Sequence, residues 1–357
     1  MAIDQAGEIR KGEALDEAAL SAYLKEQLFD FSGLAEIRQF PGGYSNLTYL
    51  LREKNQQAYV LRRPPFGANI KSAHDMSREF RVLSLLEEVY PRAPRPVVYC
   101  EDSEVLGAPF YLMERVKGVI LSPTRSRKGL DLSPQVMQQL SEATVDNLLA
   151  LHALDLQATG LGELGKPQGY VQRQVEGWIK RYEKAKTDDI PALDAMAEYI
   201  RSEMPADGEA AFIHNDYKYD NLVLNPENLG EILAVLDWEM ATVGDPLMDL
   251  GTSLAYWVEA NDSPALKMFN LTALPGNLSR EQVLERYQQG SGRDVSNILF
   301  YFVFACYKLA GIVQQIYARY QQGHTSDPRF ASLIYVVKAC GDVGSRALKH
   351  ERISGLY

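Results

Sequence analysis

Residues 212–246 read FIHNDYKYDNLVLNPENLGEILAVLDWEMATVGDP, and no stretch of this chain constrains its fold more. Two apolar runs of strand length, NLVLN and EILAVL, are flanked by His214, Asp216, Lys218, Asn221 and Asp237. Runs of that kind are buried in a folded protein, and carboxylates tied so closely to them stay near the core. A charge in that position needs a partner, a ligand or a turn to cap, because burying it alone is costly. Asp216 or Asn221 alone would suit a turn. Their joint spacing, with Asp237 closing the second apolar run, points instead to chemistry.

The chain has 357 residues, which suggests two lobes, each with its own core. Its formal charge of -10 argues against broad nucleic-acid binding, which requires a basic surface. Cys100, Cys306 and Cys340 are far apart and form no CxxC pair, which predicts reduced thiols in a cytoplasmic protein. The opening MAIDQAGEIRKGEALDEAAL lacks the apolar centre of a signal peptide. The most apolar segment, ILFYFVFACYKLAGIV at 298–313, carries Lys308 and is shorter than a membrane span, so it reads as a buried helix and no membrane partner is expected.

Residues 14–28 have helical spacing. Between 35 and 65, the runs EIRQF, TYLLRE and AYVLRR predict three strands separated by a glycine-rich turn and a polar turn. Residues 75–90 predict a helix that Pro91 ends, and PVVYCED and PFYLMERVKG predict two further strands. The turn-rich, basic KGVILSPTRSRKGLDLSP marks a boundary, dividing the chain into domains at 1–117 and 118–357. From Pro134 onward the pattern is mostly helical, with helices expected near 172–186, 190–204, 247–258, 281–289, 295–321 and 328–348. The expected class is α+β, a small antiparallel sheet with one inserted helix beside a larger helical lobe.

Phosphoryl transfer needs a carboxylate near the attacking hydroxyl, oxygen ligands for magnesium, and donors for the phosphates. HNDYKYDN offers Asp216 as the carboxylate, Asn221 as an amide-oxygen ligand and Lys218 as a cation for charge developing on the transferred group. Asp237 supplies a charged metal ligand. The spacing resembles the kinase catalytic loop and its later metal-binding aspartate. HNDYKYDN and VLDWEMATVGDP, together with GDPLMDLG, further resemble the aminoglycoside phosphotransferase family of kinase-like small-molecule kinases. That resemblance implies a bilobal protein-kinase-like fold, with Asp216 as catalytic base and Asn221 and Asp237 on magnesium. It also implies Asp249 as a structural support and His214 as a brace for the loop. His152 is typical of the family too, with packing or capping as its expected role.

The resemblance extends to the first lobe. PGGYSNLTYLL would be the phosphate-covering loop, with Gly42 and Gly43 allowing close backbone approach and Ser45 and Asn46 adding donors. Arg62 stands where protein kinases carry a strand lysine, and strand alternation sets it on the face opposite Arg63. Arginine is a larger, planar donor and no simple substitute for lysine. Its implied role is on the phosphates, against the plainer reading of an exposed charge. Glu79 would be its helix partner, against an ordinary surface pair with Arg78 or Arg81. FYLMERVKG resembles the hinge, where Met113 would shape the pocket and Glu114 and Val116 would offer backbone groups to an adenine edge. An arginine in this place also fits the branch resembling the kinase half of acyl-CoA dehydrogenase fusion proteins. No long activation segment follows Asp237, so small molecules are expected as substrates rather than proteins.

The acceptor is less legible. Residues 131–213 carry 14 acidic and 7 basic side chains, and residues 251–357 carry 8 and 11. The basic final third disfavours a polycationic aminoglycoside. In YKLAGIVQQIYARYQQG, Lys308, Gln315 and Arg319 fall on one helical stripe and would suit an anionic acceptor such as a hydroxyacyl-CoA. The alternative is that Lys308 snorkels to solvent and Arg319 complements a helix C-terminus. The expected activity is transfer from ATP or GTP, with magnesium, to a small hydroxylated molecule. A nucleotide-binding scaffold and a metal-dependent phosphohydrolase are the rival classes.

Overall fold

The computed structural model describes residues 4–41, 46–67, 76–125, 127–268, 270–324 and 328–357. Its contacts divide the chain into two compact units. One takes the chain up to Val119 together with Leu233–Ala241, and the other takes Ile120–Ile232 and Thr242–Tyr357. The sequence drew its boundary at 117/118 and left residues 233–241 with the second domain. In the fold that short segment packs with the first.

In the smaller unit, helix α1 (Glu17–Gln27) starts where the Asp16 side chain accepts from the Ala19 amide. Strands β1 (Leu34–Gln39), β2 (Leu47–Glu53), β3 (Ala58–Arg63), β4 (Pro96–Cys100) and β5 (Phe110–Glu114) form an antiparallel sheet in the order β1-β2-β3-β5-β4. Helix α2 (Met76–Leu86) follows β3 and packs on β4 and β5, and a short helix α3 (Ser103–Leu106) joins β4 to β5. The five predicted strands and the inserted helix are all present. Strand alternation sends Tyr49, Leu51, Leu61, Phe110 and Leu112 into one core with Leu20 and Leu24 of α1. Arg62 pairs in register with Tyr111 on the other face. Arg63, on the α1 side, is buried and donates to the carbonyls of Pro64 and Leu106.

The larger unit holds helices α4 (Pro134–His152), α5 (Tyr170–Ala185) and α6 (Pro191–Ser202). Strands β6 (Ala211–Ile213), β7 (Leu222–Asn225), β8 (Asn228–Val235) and β9 (Thr242–Gly244) follow. Helices α7 (Pro246–Tyr256), α8 (Arg280–Ser291), α9 (Ile298–Gln321) and α10 (Leu333–His350) complete the chain. β6 pairs with β9 and β7 with β8, and along β8 the chain leaves this unit for the smaller one. The sequence did not predict β9, which at three residues is too short to show a period.

Helix α9 is the axis of this unit, packed by α5, α6, α7 and α10. It starts three residues later than the expected 295 and ends as expected at 321; at 24 residues it is long and apolar enough to cross a membrane, yet most of it is buried within the fold. Helix α7 comes close to it at Gly251, where a Cβ would stand 2.6 Å from the Tyr301 carbonyl oxygen. That approach sets the spacing of the neighbouring Asp249 and Thr252 against α9. Gly251→Ala is expected to force the helices apart and cost about 1–3 kcal/mol. Urea unfolding that shows a loss below about 0.5 kcal/mol would mean the crossing can relax.

Candidate active site

Within the smaller unit, the guanidinium of Arg62 gathers three carboxylates. It meets Glu79 at 2.7 Å, Asp237 at 3.0 Å and Glu239 at 3.6 Å. Burial alone would weaken the charge on Arg62, but Glu79, Tyr111, Asp237 and Glu239 outweigh it and raise its pKa well above the ordinary value. Arg62 is therefore a buried, permanently charged hub, not an exposed cation, and Glu79 is its partner rather than a surface pair. Glu239 was not singled out from sequence. It accepts from Asn46 Nδ2 at 2.8 Å and so ties the end of the glycine-rich loop to the same cluster. Gly42, Gly43 and Ser45 of that loop lie outside the described residues.

One guanidinium faces three carboxylates, so this cluster carries surplus negative charge wherever all three are ionised. Asp237 is about one-third exposed, with a side-chain exposure of 34%. Its backbone is left-handed, at φ 68° and ψ 62°, a region where Asp and Asn are among the few side chains commonly seen. Trp238 anchors the turn, donating from Nε1 to the Val235 carbonyl and meeting Tyr90 edge-on at 5.9 Å. The Nε of Arg62 and the Oδ1 of Asn46 are buried without a hydrogen-bond partner among the described residues. Surplus carboxylate beside unspent polar atoms suits a divalent cation that arrives with its own anionic ligands. Magnesium does so, keeping several waters and taking one or two protein carboxylates plus phosphates.

The hinge residues lie at the end of β5. Met113 is buried opposite Val60. The Glu114 amide already donates to the Arg95 carbonyl, while its carboxylate meets Arg95 at the surface. The Val116 amide makes no hydrogen bond among the described residues.

Within the larger unit, the loop after β6 is built around Asp249 of α7. Its two carboxylate oxygens accept the backbone amides of His214 and Asn215, each at 2.7 Å. His152 Nε2 approaches the same carboxylate at 3.1 Å, and its Nδ1 lies 2.7 Å from the Tyr287 hydroxyl. Burial would push the Asp249 carboxyl up, but the hydrogen bond and charge of His152, with the charge and amide of His214, hold it below the ordinary range. His214 Nδ1 accepts from the Asp216 amide at 3.2 Å, so this ring braces the turn.

Asp216 is thereby presented with both oxygens engaged. Lys218 Nζ sits 3.0 and 2.8 Å from Oδ1 and Oδ2, and Asn221 Nδ2 donates to Oδ2 at 2.9 Å and to the Asp216 carbonyl at 2.8 Å. Because the amide nitrogen of Asn221 is committed to the loop, its oxygen is the atom left for a cation, the hard donor magnesium prefers. Burial disfavours the Lys218 ammonium, but the Asp216 charge outweighs it and its pKa stands well above ordinary. Tyr256, which nothing in the sequence marked, lies beneath Lys218 with its ring centroid 4.6 Å from Nζ. Among the described residues no group of three or more His, Cys, Asp or Glu forms a cage for a metal.

The stripe on α9 does not act as one surface. Lys308 is buried and donates to the Asn215 carbonyl at 3.0 Å, so it neither snorkels nor reaches solvent. Gln315 folds back onto the Gly311 carbonyl, and Arg319 is exposed. About 16 Å of helix rise separates Lys308 from Arg319.

The profile of the APH family, described as Phosphotransferase enzyme family, matches residues 36–288. Acyl-CoA dehydrogenase family member 11 of Gallus gallus is 33% identical over 359 residues, covering 98% of this chain and 45% of that protein. Acyl-CoA dehydrogenase family member 10 of Mus musculus is 37% identical over 324 residues, covering 89% and 30%. The chain thus spans less than half the length of these curated relatives. A Ralstonia eutropha JMP134 structure described as an aminoglycoside phosphotransferase superposes with a TM-score of 0.78 at 30% identity, over 94% of this chain and 99% of that one. Choline kinase from Cryptosporidium parvum Iowa II superposes at a TM-score of 0.59 and 13% identity over 94% and 99%, a likeness of fold.

Asp249 gives a direct test of the loop. Asp249→Ala strands two buried amides and is expected to cost about 2–5 kcal/mol at pH 7. The native carboxyl is held below its unfolded value, so its stabilisation is full above about pH 4 and is lost as pH falls through the native pKa. In urea unfolding, the gap between wild type and Asp249→Asn should therefore narrow below about pH 4. A gap that stays constant from pH 7 to 3 would exclude the ionised carboxylate as the anchor.

Proposed function

The chain belongs to the APH family of phosphotransferases, and from that premise we propose that it is a magnesium-dependent kinase that moves the γ-phosphoryl group of ATP or GTP to a hydroxyl of a small molecule. The observation that carries this reading is the loop at Asp216. A carboxylate is held by two neighbouring polar side chains, on a turn whose amides are anchored to a buried aspartate. A scaffold that only bound nucleotide would have no use for so firmly placed a carboxylate.

In this reading Asp216 orients the acceptor hydroxyl. The hydroxyl oxygen bonds to the γ-phosphorus as the bond to the leaving nucleoside diphosphate breaks, and Asp216 takes the proton late. Lys218, already beside Asp216, adds positive charge where the transferred group gains negative charge. Asn221 and Asp237 would hold magnesium, which when bound neutralises phosphate charge. Arg62 holds Asp237 and Glu239 in place. In the smaller unit Met113, Glu114 and Val116 would line the purine, with the Val116 amide as the available donor.

For the acceptor we favour a hydroxylated compound of the acyl-CoA kind. The relatives named as acyl-CoA dehydrogenase family members support this choice, as does the basic balance of the final third. A polycationic acceptor would suit the acidic 131–213 segment instead.

Thermal melting with ATP or GTP, each with and without magnesium, tests the reading first. One nucleotide should raise the Tm in a magnesium-dependent way. Asp216→Asn should keep that shift while losing at least about a hundredfold in transfer to a confirmed acceptor. Asp237→Ala should lose the magnesium-dependent part of the shift. Full transfer by Asp216→Asn would remove Asp216 from the role of base.

A further inference from the structure

The buried ammonium of Lys308 has no carboxylate within ion-pair distance among the described residues. It donates instead to the carbonyl oxygen of Asn215 at 3.0 Å and to Thr252 Oγ1 at 3.4 Å. Asn215 is the residue before Asp216, and its backbone is left-handed at φ 67°. Two of its other polar groups are also taken: the amide is given to Asp249, and Oδ1 accepts from the Tyr170 hydroxyl at 3.1 Å. Asn215 is thus held by α7 at its own amide and by α9 at its carbonyl, while the amide across that carbonyl's peptide, that of Asp216, donates to His214 Nδ1. A buried lysine is a costly way to satisfy one carbonyl, because its charge is disfavoured there. Placing it on that single peptide has a geometric effect. The carbonyl of Asn215 belongs to the same rigid peptide plane as the amide of Asp216.

We propose that Lys308 is a positioning residue for the phosphoryl-transfer loop: its ammonium locks the Asn215–Asp216 peptide plane and so aims the Asp216 carboxylate. The proposal rests on the reading of Asp216 as the base, and it moves Lys308 from the acceptor wall to the support of the loop. The charged groups around the ammonium are Asp216 and Asp249, which favour it, and Lys218 and Arg181, which oppose it. Burial, the largest influence, brings its pKa down to about 8. The lock is therefore charged at and below neutral pH and loses its proton as pH rises through that value. A neutral amine still donates a hydrogen bond to the carbonyl, but a weaker one than the ammonium does.

Amide hydrogen exchange by NMR reads the lock without any acceptor. In the wild type, protection of the His214, Asn215 and Asp216 amides, corrected for intrinsic rates, should fall several-fold between pH 7 and 9. In Lys308→Met it should already be about tenfold lower at pH 7 and independent of pH, with α4 unchanged. Lys308→Arg, which does not titrate in this range, should keep protection flat and near the wild-type neutral value. In parallel, hydrolysis of magnesium-ATP or magnesium-GTP with water as acceptor should lose at least about tenfold in kcat in Lys308→Met, with KM within about twofold. Wild-type protection that does not change from pH 7 to 9, or Lys308→Met exchange equal to wild type, would overturn the proposal. Asp216→Asn separates the two ideas. If it hydrolyses as fast as wild type while the exchange results hold, the base assignment fails and the lock stands.

Discussion

The loop that carries Asp216 depends on one buried carboxylate. Asp249 accepts two consecutive backbone amides and meets the imidazole of His152, and all three residues are buried. A carboxylate that receives several hydrogen bonds can remain ionised despite burial. The order of events in the chain follows from this. GDPLMDLG must place an aspartate in the first turn of α7, where the helix start favours negative charge and Asp245 caps the end. The loop after β6 then has a fixed point to fold onto. His152, at the last turn of α4, brings a third element to the same atom. The geometry of Asp216 is thus set in part by buried residues on other elements.

The smaller unit solves a similar problem with the opposite sign. There the buried charge is a cation, Arg62, and three acids converge on it. Lysine would bring a point charge and three rotating donors, whereas the planar fork of arginine can hold Glu79 on one side and Asp237 on another at the same time. The substitution seen in the sequence therefore changes what the position does. The guanidinium is spent largely on organising acids, and any contact with phosphate must share it with Asp237 and Glu239. Acids held this way, rather than repelling one another, can receive a divalent cation.

Local patterns in the sequence carried far. Strand β3 was legible residue for residue because AYVLRR is a short β-prone run between a polar turn and two prolines, and α9 was legible from its long apolar run. Asp216, Lys218 and Asn221 were marked by their spacing, whereas Asp249 was marked only by the family resemblance. What stayed hidden depends on contacts between distant segments. Nothing local assigns Leu233–Ala241 to the smaller unit, since that follows from Trp238 on Tyr90, the Val235 amide on the Arg92 carbonyl, and Asp237 on Arg62. For Lys308 the sequence offered an acceptor-facing stripe or a snorkelling cation, because helical spacing can name only a face. It cannot tell that the partner is a backbone carbonyl on another element. Tyr256 and Glu239 carried no periodic signal at all.

Backbone strain connects these observations. Among the described residues, four that are not glycine have a positive φ, and two of them are Asn215 and Asp237. One precedes the carboxylate read as base, and the other is the acid read as metal ligand. Left-handed backbone costs a non-glycine residue of order 1–2 kcal/mol and persists only when its surroundings fix it. Asn215 is fixed by Asp249, Lys308 and Tyr170, and Asp237 by Arg62 and the anchored Trp238. In both cases the neighbours include a buried charge, the most expensive fixture a core can hold. A fold that needed only stability would replace each with an apolar side chain and a relaxed turn. That the expense falls at these two turns, rather than at the many other Asp and Asn residues of the chain, supports the reading that assigns the chemistry to them.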